Sequence, residues 1–141
     1  MRDFANNLEV RRAISPAAAK TDNTPFVSQI IDLSGFSMLV FAILLGSLAD
    51  ADATFSVLVE HGDQANLSDA AAVPDSSLTG SEASAGFDFS ADNKVRKIGY
   101  VGSKRYVRLT VTPANNTGDA YLSAVAILSG GRYSPTASQS A

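Results

Sequence analysis

Apolar and polar side chains alternate along several stretches of this chain, and a period of two residues is typical of a β-strand with one buried face. In residues 54–60 the alternation places Phe55, Val57 and Val59 on one side. Residues 37–45 are apolar on both sides, which is typical of a central strand covered on both faces. The full set of predicted strands is 26–33, 37–45, 54–60, 87–90, 95–101, 105–112 and 120–128.

Turn residues separate these strands, and no stretch carries a convincing helical period. Six to eight strands joined in this way predict an all-β fold, an antiparallel β-sandwich of jelly-roll type. We expect 95–101 and 105–112 to form a hairpin that turns at Gly102 and Ser103. Residues 62–84 are rich in Asp, Ser, Ala and Gly, which predicts a long loop with at most one short strand.

The length of 141 residues fits a single domain. Residues 1–25 predict an extended N-terminal arm, because Pro16 and Pro25 stop any long helix and too few apolar residues are present for an independent core. The β-sandwich domain is expected over 26–131. Residues 132–141, after the glycine pair at 130–131, predict a flexible C-terminal tail.

Charge is distributed unevenly around a net value of −3. Residues 21–93 contain no Lys or Arg, whereas 94–118 contain six basic residues and no acidic one. Two explanations are open: the basic stretch pairs with acidic neighbours inside one fold, or the two signs meet head to tail between subunits. The acidic total argues against a role in binding nucleic acid.

The composition provides few candidates for catalysis or metal binding. Cysteine is absent, which excludes disulfides and thiolate sites. His61 is the only histidine; Glu60 and Asp63 lie beside it, but we expect an inert residue at a turn. Asp63, Asp69 and Asp75 recur at six-residue spacing without the pattern of an EF-hand. We therefore expect neither an enzyme nor a cofactor or metal site.

Nothing in the sequence predicts membrane insertion or secretion. The apolar block at residues 36–45 is half of the ~20 residues that a spanning helix needs. The first residues carry several charges and no apolar run behind them, so we expect no secretory signal.

The stretch Lys97-Ile98-Gly99-Tyr100-Val101-Gly102-Ser103-Lys104-Arg105-Tyr106-Val107-Arg108 resembles a hairpin of a family of small virion proteins of tailed bacteriophages, which are described as minor capsid or decoration proteins. Weaker similarity extends to Met1-Arg2-Asp3 followed by Asn6-Asn7, to 31–36 and to 132–135. Residues 66–85 have no counterpart in this resemblance.

The resemblance implies a structural virion protein that decorates or cements the capsid by binding the shell of major capsid protein. It also implies assembly in the host cytoplasm, a final position on the capsid surface, and self-association as a homotrimer. No nucleic acid, membrane or small-molecule substrate is expected as a partner. The predicted partner-binding residues are Phe4, Leu8, Val10, Arg11, Arg12, Ile14, Lys104, Arg105 and Arg108.

Two alternatives are open. Residues 105–109 are also similar to a core strand of discoidin-like jelly rolls, which bind carbohydrates or lipid surfaces; such modules commonly present tryptophan, which is absent here. The second alternative is a protein of the head-tail junction.

Overall fold

A computed structural model describes residues 3–136 and contains two antiparallel β-sheets packed face to face. The predicted antiparallel sandwich of jelly-roll type is confirmed. The strands of the first sheet, in spatial order, are β1 (Leu8–Ile14), β11 (Ala120–Ser129), β4 (Met38–Leu48), β9 (Val95–Tyr100) and β7 (Leu78–Thr79).

The second sheet is built around two long strands, β5 (Thr54–Gly62) and β10 (Tyr106–Ala114), which pair along their whole length. Four two-residue strands flank them: β2 (Phe26–Val27) and β3 (Ile31–Asp32) pair with β10, while β6 (Ala71–Ala72) and β8 (Phe87–Asp88) pair with β5. One helical turn, α1 (Glu82–Ala85), lies between β7 and β8.

The core lies between the sheets and is filled by every second residue of the long strands. On β4 the inward side chains include Leu39, Phe41 and Ile43, all buried. The predicted inward set of 54–60, namely Phe55, Val57 and Val59, is buried as well. Other buried members are Val107, Leu109, Val111, Leu122, Ala124, Ala126 and Leu128. The alternation therefore identified the inward residues correctly.

The predicted hairpin of 95–112 is wrong, because its two strands lie in opposite sheets. Strand β9 pairs with β4 and β7 in the first sheet, whereas β10 pairs with β5, β2 and β3 in the second. The connection 101–105 crosses between the sheets, which lie roughly 10 Å apart in sandwiches of this kind. A period of two identifies a strand but carries no information about which strand pairs with it.

Close packing in and beside this crossover explains both glycines of the motif. A Cβ at Gly102 would lie 2.5 Å from the hydroxyl of Tyr100, whose side chain is buried between the sheets. A Cβ at Gly99 would lie 3.0 Å from the Cβ of Thr79 on the neighbouring strand. The motif therefore builds a crossover between sheets.

We expect Gly102→Ala to lower the free energy of unfolding by about 1–3 kcal/mol, because the added methyl must displace a buried ring. Denaturant unfolding measures the change. Ser103→Ala, at the exposed neighbouring position, is the control and should be within about 0.5 kcal/mol of the wild type. Equal stability of both variants would contradict this account of the crossover.

The predicted arm of 1–25 is not a separate segment over residues 8–14. These residues form β1, which pairs with β11 at the edge of the first sheet. Ala13 and Ile14 are buried in the core, and Lys20 forms a bridge to Ala120. The physical reason is that burying a side chain such as Ile14 stabilises the fold by roughly 1.5–3 kcal/mol, which an exposed arm would forgo.

Three other boundaries differ from the prediction. The loop at 62–84 contains two short strands, β6 and β7, and it is held by the buried side chains of Leu67, Val73 and Leu78. The single strand expected at 26–33 is interrupted at Ser28, whose hydroxyl accepts a hydrogen bond from the Leu109 N–H at 2.9 Å. Residues 87–90 give only the short β8, since a 3-10 turn begins at residue 89.

The tail expected to be flexible is attached to the sandwich as far as residue 136. The Arg132 N–H donates to the Gly35 carbonyl at 2.8 Å, and the Thr136 N–H donates to the Asn6 carbonyl at 2.9 Å. The remainder of that prediction, 137–141, lies outside the described residues.

Candidate partner-binding face

The basic residues predicted to bind a partner are paired within the chain. Arg105 holds Asp32 through two nitrogens, at 2.8 and 3.0 Å. Lys104 contacts Asp63 at 2.6 Å, and a third pair, Arg108 with Glu60, is separated by 2.9 Å. For these three of the six basic residues in 94–118, the structure shows pairing within one fold.

These contacts also change the titration of the paired groups. The hydrogen bond from Arg105 lowers the pKa of Asp32, and the hydrogen bond to Asp63 raises the pKa of Lys104. Each group is thereby held in its charged form. The three ion pairs connect the crossover and β10 to neighbouring loops and strands.

Two of the predicted residues near the N-terminus also face inward. Arg11 forms an ion pair with Glu9 at 2.7 Å and donates to the carbonyl of Asp32 at 2.6 Å. Ile14 is only 7% exposed. Arg11 thereby connects β1 of the first sheet to β3 of the second, and Ile14 is part of the core.

His61 is bound to Tyr100 and does not stand free at a turn. The hydroxyl of Tyr100 accepts the Lys104 N–H at 3.0 Å and lies 2.9 Å from Nδ1 of His61, to which it can donate. Burial lowers the pKa of His61 and raises the pKa of Tyr100. Among residues 3–136 no three side chains of His, Cys, Asp or Glu are grouped as a metal site would require.

We expect stability to fall as the pH drops below 6.5, the usual pKa of histidine. Because burial lowers the pKa of His61 in the fold, the unfolded chain binds a proton more readily, and acid therefore favours unfolding. Thermal melting of wild type and His61→Gln across this range measures the effect. At pH values above those at which Asp32 titrates, the melting temperature of His61→Gln should not fall with the pH. An equal fall in both proteins would mean that another group causes it.

The other predicted residues, Phe4, Leu8, Val10 and Arg12, lie on or beside the outer surface of the first sheet. On a sheet that is covered on both sides an apolar outer surface is expected, but here the outward side chains of Met38, Leu44 and Val125 on β4 and β11 are exposed. We call this surface the apolar face. Its apolar members are the outward side chains of four strands: Leu8, Val10, Met38, Val40, Ala42, Leu44, Val95, Val125 and Ile127.

The strand register brings these side chains into continuous rows. In one row Val10 on β1, Ile127 on β11, Val40 on β4 and Gly99 on β9 are successive cross-strand partners. With strand spacings of about 4.8 Å and residue rises of about 3.4 Å, the face measures roughly 14 Å across the strands and 20 Å along them.

Several of these side chains are strongly exposed. Leu44 is 56% exposed, Met38 51% and Val95 57%. One end of the face deepens into a groove of about 670 Å³, lined in part by Phe4, Met38, Val40, Val101 and Ile127. An exposed apolar surface of this extent is typical of a site for another macromolecule.

The second sheet provides an internal comparison, because its outer surface is polar. The outward positions of its two long strands include Arg108 opposite Glu60 and Thr112 opposite Ser56. Leu58 at the centre of β5 and Val27 on β2, both paired with Thr110, are apolar exceptions. The two outer surfaces of one sandwich therefore differ in kind, and only the apolar face has the composition of a docking surface.

The apolar face carries charge of one sign only. Arg12, Val125, Ala42 and Lys97 form a second row, with a cation at each end. The Arg12 guanidinium is held by Ser15 Oγ at 2.7 Å and Gln29 Oε1 at 3.2 Å, which are neutral groups. No carboxylate of residues 3–136 lies within ion-pair distance of Arg12 or Lys97.

Comparisons with known proteins show the fold. No protein-family model and no curated protein matches the sequence. The structure is similar to the PBSX exported protein XepA, with a TM-score of 0.56 and 14% identity over 94% of this chain and 40% of that one. It is also similar to a chain of the capsid of Ralstonia phage GP4, with a TM-score of 0.52 and 9% identity over 94% of this chain and 90% of that one.

A third similar structure is that of the infectious bursal disease virus Gx strain, with a TM-score of 0.52 at 9% identity. The match covers 91% of this chain and 33% of that one. The chain thus corresponds to a part of XepA and of the bursal disease virus protein, and to nearly the whole of the phage GP4 chain.

Sequence reasoning missed most of the apolar face, although the signal was present. Residues 37–45 are apolar on both sides, which predicts burial on both sides. The inward half of β4 is buried, whereas Met38 and Leu44 on the outward half are exposed. Apolar residues on both sides of a strand therefore do not show that the chain itself covers both sides.

Proposed function

We propose that this protein is a structural component of a tailed-phage virion, which decorates the capsid by binding the shell of major capsid protein through the apolar face. The observation that carries the proposal is the contrast between the two outer surfaces of the sandwich. A protein that acted alone in solution would lose solubility through nine outward apolar residues and gain nothing from them.

Two further observations support a phage origin. Residues 97–108 resemble a motif of phage virion proteins, and in this structure they form the crossover that holds the two sheets together. The fold is shared with a capsid chain of Ralstonia phage GP4 over nearly the full length of both chains.

Binding to shells tests the proposal directly. The purified protein is mixed with shells assembled from the major capsid protein of the same phage, and the bound fraction is measured after sedimentation. We expect saturable binding with a fixed number of copies per shell, and greater resistance of decorated shells to heat. Shells that sediment without the protein at every concentration would refute the proposal.

The predicted homotrimer stays a prediction, and its basis has changed. The basic residues that suggested a charge-matched ring are paired inside the chain with Asp32, Glu60 and Asp63. A threefold contact would therefore use other surfaces and should not depend on these pairs. Sedimentation velocity of the free protein at several salt concentrations measures the state.

Of the alternatives, the head-tail junction remains compatible with the apolar face, and immunogold labelling of virions distinguishes it from a position on the shell. A carbohydrate-binding module would need polar and aromatic groups around a sugar. The apolar face has aliphatic side chains at its centre, and this favours a protein partner.

A further inference from the structure

The distribution of charge on the apolar face indicates what can cover it. Its centre is aliphatic, and Arg12 and Lys97 stand at opposite ends of one row, about 14 Å apart across three strand spacings. No outward position of β1, β11, β4 or β9 is acidic. Acidic residues are more numerous than basic ones in the whole chain, 14 against 11, so this composition is specific to the face.

A second copy of the chain is a poor cover for this face. Two identical sheets that pack face to face are related by a twofold axis lying in the interface plane. If the axis runs along the strands, Arg12 of one copy meets Lys97 of the other. If the axis runs across the strands through the row that holds the two cations, each cation meets its own counterpart. If the axis runs across the strands through another row, each cation meets uncharged groups of the other copy. In no arrangement does a cation meet a carboxylate of the face.

A partner with a purely apolar contact surface is also an unfavourable cover for the face. A cation that loses water without gaining a partner costs several kcal/mol. Lys97 lines the groove at the end of the face, so a partner that fills the groove removes water from its ammonium group. The partner must therefore supply an acceptor at this point, and a carboxylate is the strongest available in a protein.

From this arrangement we infer that the apolar face is covered by a different protein, whose contact surface is apolar at the centre and carries carboxylates opposite Lys97 and Arg12. This inference deepens the proposed function and rests on it: the shell surface that receives the protein is acidic at its rim. A second copy of this chain is not the occupant.

The test is a charge reversal at one end of the row. We expect Lys97→Glu to weaken shell binding by roughly tenfold or more, because it places like charges together, and Lys97→Gln to weaken it less. Raising the salt concentration should weaken wild-type binding and affect Lys97→Gln less strongly. Lys94→Glu changes the net charge equally from an exposed position outside the two rows, and it should bind within about twofold of the wild type.

The possible occupants give different results. If the wild type binds shells, and neither Lys97→Glu nor salt weakens the binding, the inference of an acidic partner is wrong while the proposed function stands. Absence of wild-type binding overturns both. If the free protein is a dimer that Leu44→Asp converts to monomers in sedimentation velocity, a second copy occupies the face and the inference is wrong.

Discussion

Val40→Asp should reduce the affinity for the capsid shell by about two orders of magnitude or more, with the fold intact. Val40 lies at the centre of the apolar face, between Ile127 and Gly99 in its row. A carboxylate covered there without a partner costs about 3–5 kcal/mol, and each 1.4 kcal/mol corresponds to a factor of about ten in affinity. The measurement is the dissociation constant from shell co-sedimentation.

The matched control is Leu58→Asp on the other outer surface. Leu58 lies at the centre of β5, is half-buried as Val40 is, and faces outward beside Thr110. The two substitutions introduce the same group at the middle of a long strand, so their effects on stability should be similar. Loss of binding in Val40→Asp alone assigns the contact to the apolar face. Equal loss in both variants would show that the substitution acts through the fold.

The second large effect concerns β1. Removing residues 2–14 should lower the melting temperature by roughly 10 °C or more, because it uncovers the edge of β11 and removes Ala13 and Ile14 from the core. Thermal unfolding followed by circular dichroism measures the change. A free arm that only reached a partner would leave the melting temperature nearly unchanged and reduce binding alone.

Two point substitutions separate the roles of β1 without deleting it. Ile14→Ala removes a buried side chain and should lower the free energy of unfolding by about 2–5 kcal/mol. Val10→Ala shortens a side chain that is 42% exposed on the apolar face, so stability should change by less than about 1 kcal/mol while shell binding weakens. The opposite pattern would contradict the assignment of inward and outward residues on β1.

Local patterning was sufficient to predict the strands and their inward residues. The period of two identified β5 and β11 nearly to their ends, and it placed Phe55, Val57 and Val59 in the core. The absence of a helical period predicted the sandwich, since strands with one apolar side must pack in two layers. These features depend on residues close together in the chain, which is why they can be recognised without a structure.

Pairing and site assembly were decided by the tertiary structure. The prediction of a hairpin over 95–112 was wrong, because nothing in the local sequence pattern indicates that the connection 101–105 crosses to the other sheet. The sequence also leaves open whether the basic residues pair within the fold, and in the structure Lys104, Arg105 and Arg108 meet acids 41 to 73 positions away. Pairs so distant in sequence are brought together only by the order of the strands.

The apolar face likewise depends partly on features visible in the sequence and partly on the tertiary structure. Sequence alone determined that 37–45 is apolar on both sides and that Leu8 and Val10 are apolar near the N-terminus. Only the fold decided that β1 lies beside β11 and that these residues share one surface with Val40 and Ile127. The fold also places Arg12 and Lys97 at the two ends of one row of this surface. Strand alternation specifies which side chains share a side of one strand. The sheet order and register determine which of those sides meet and whether the chain itself covers them.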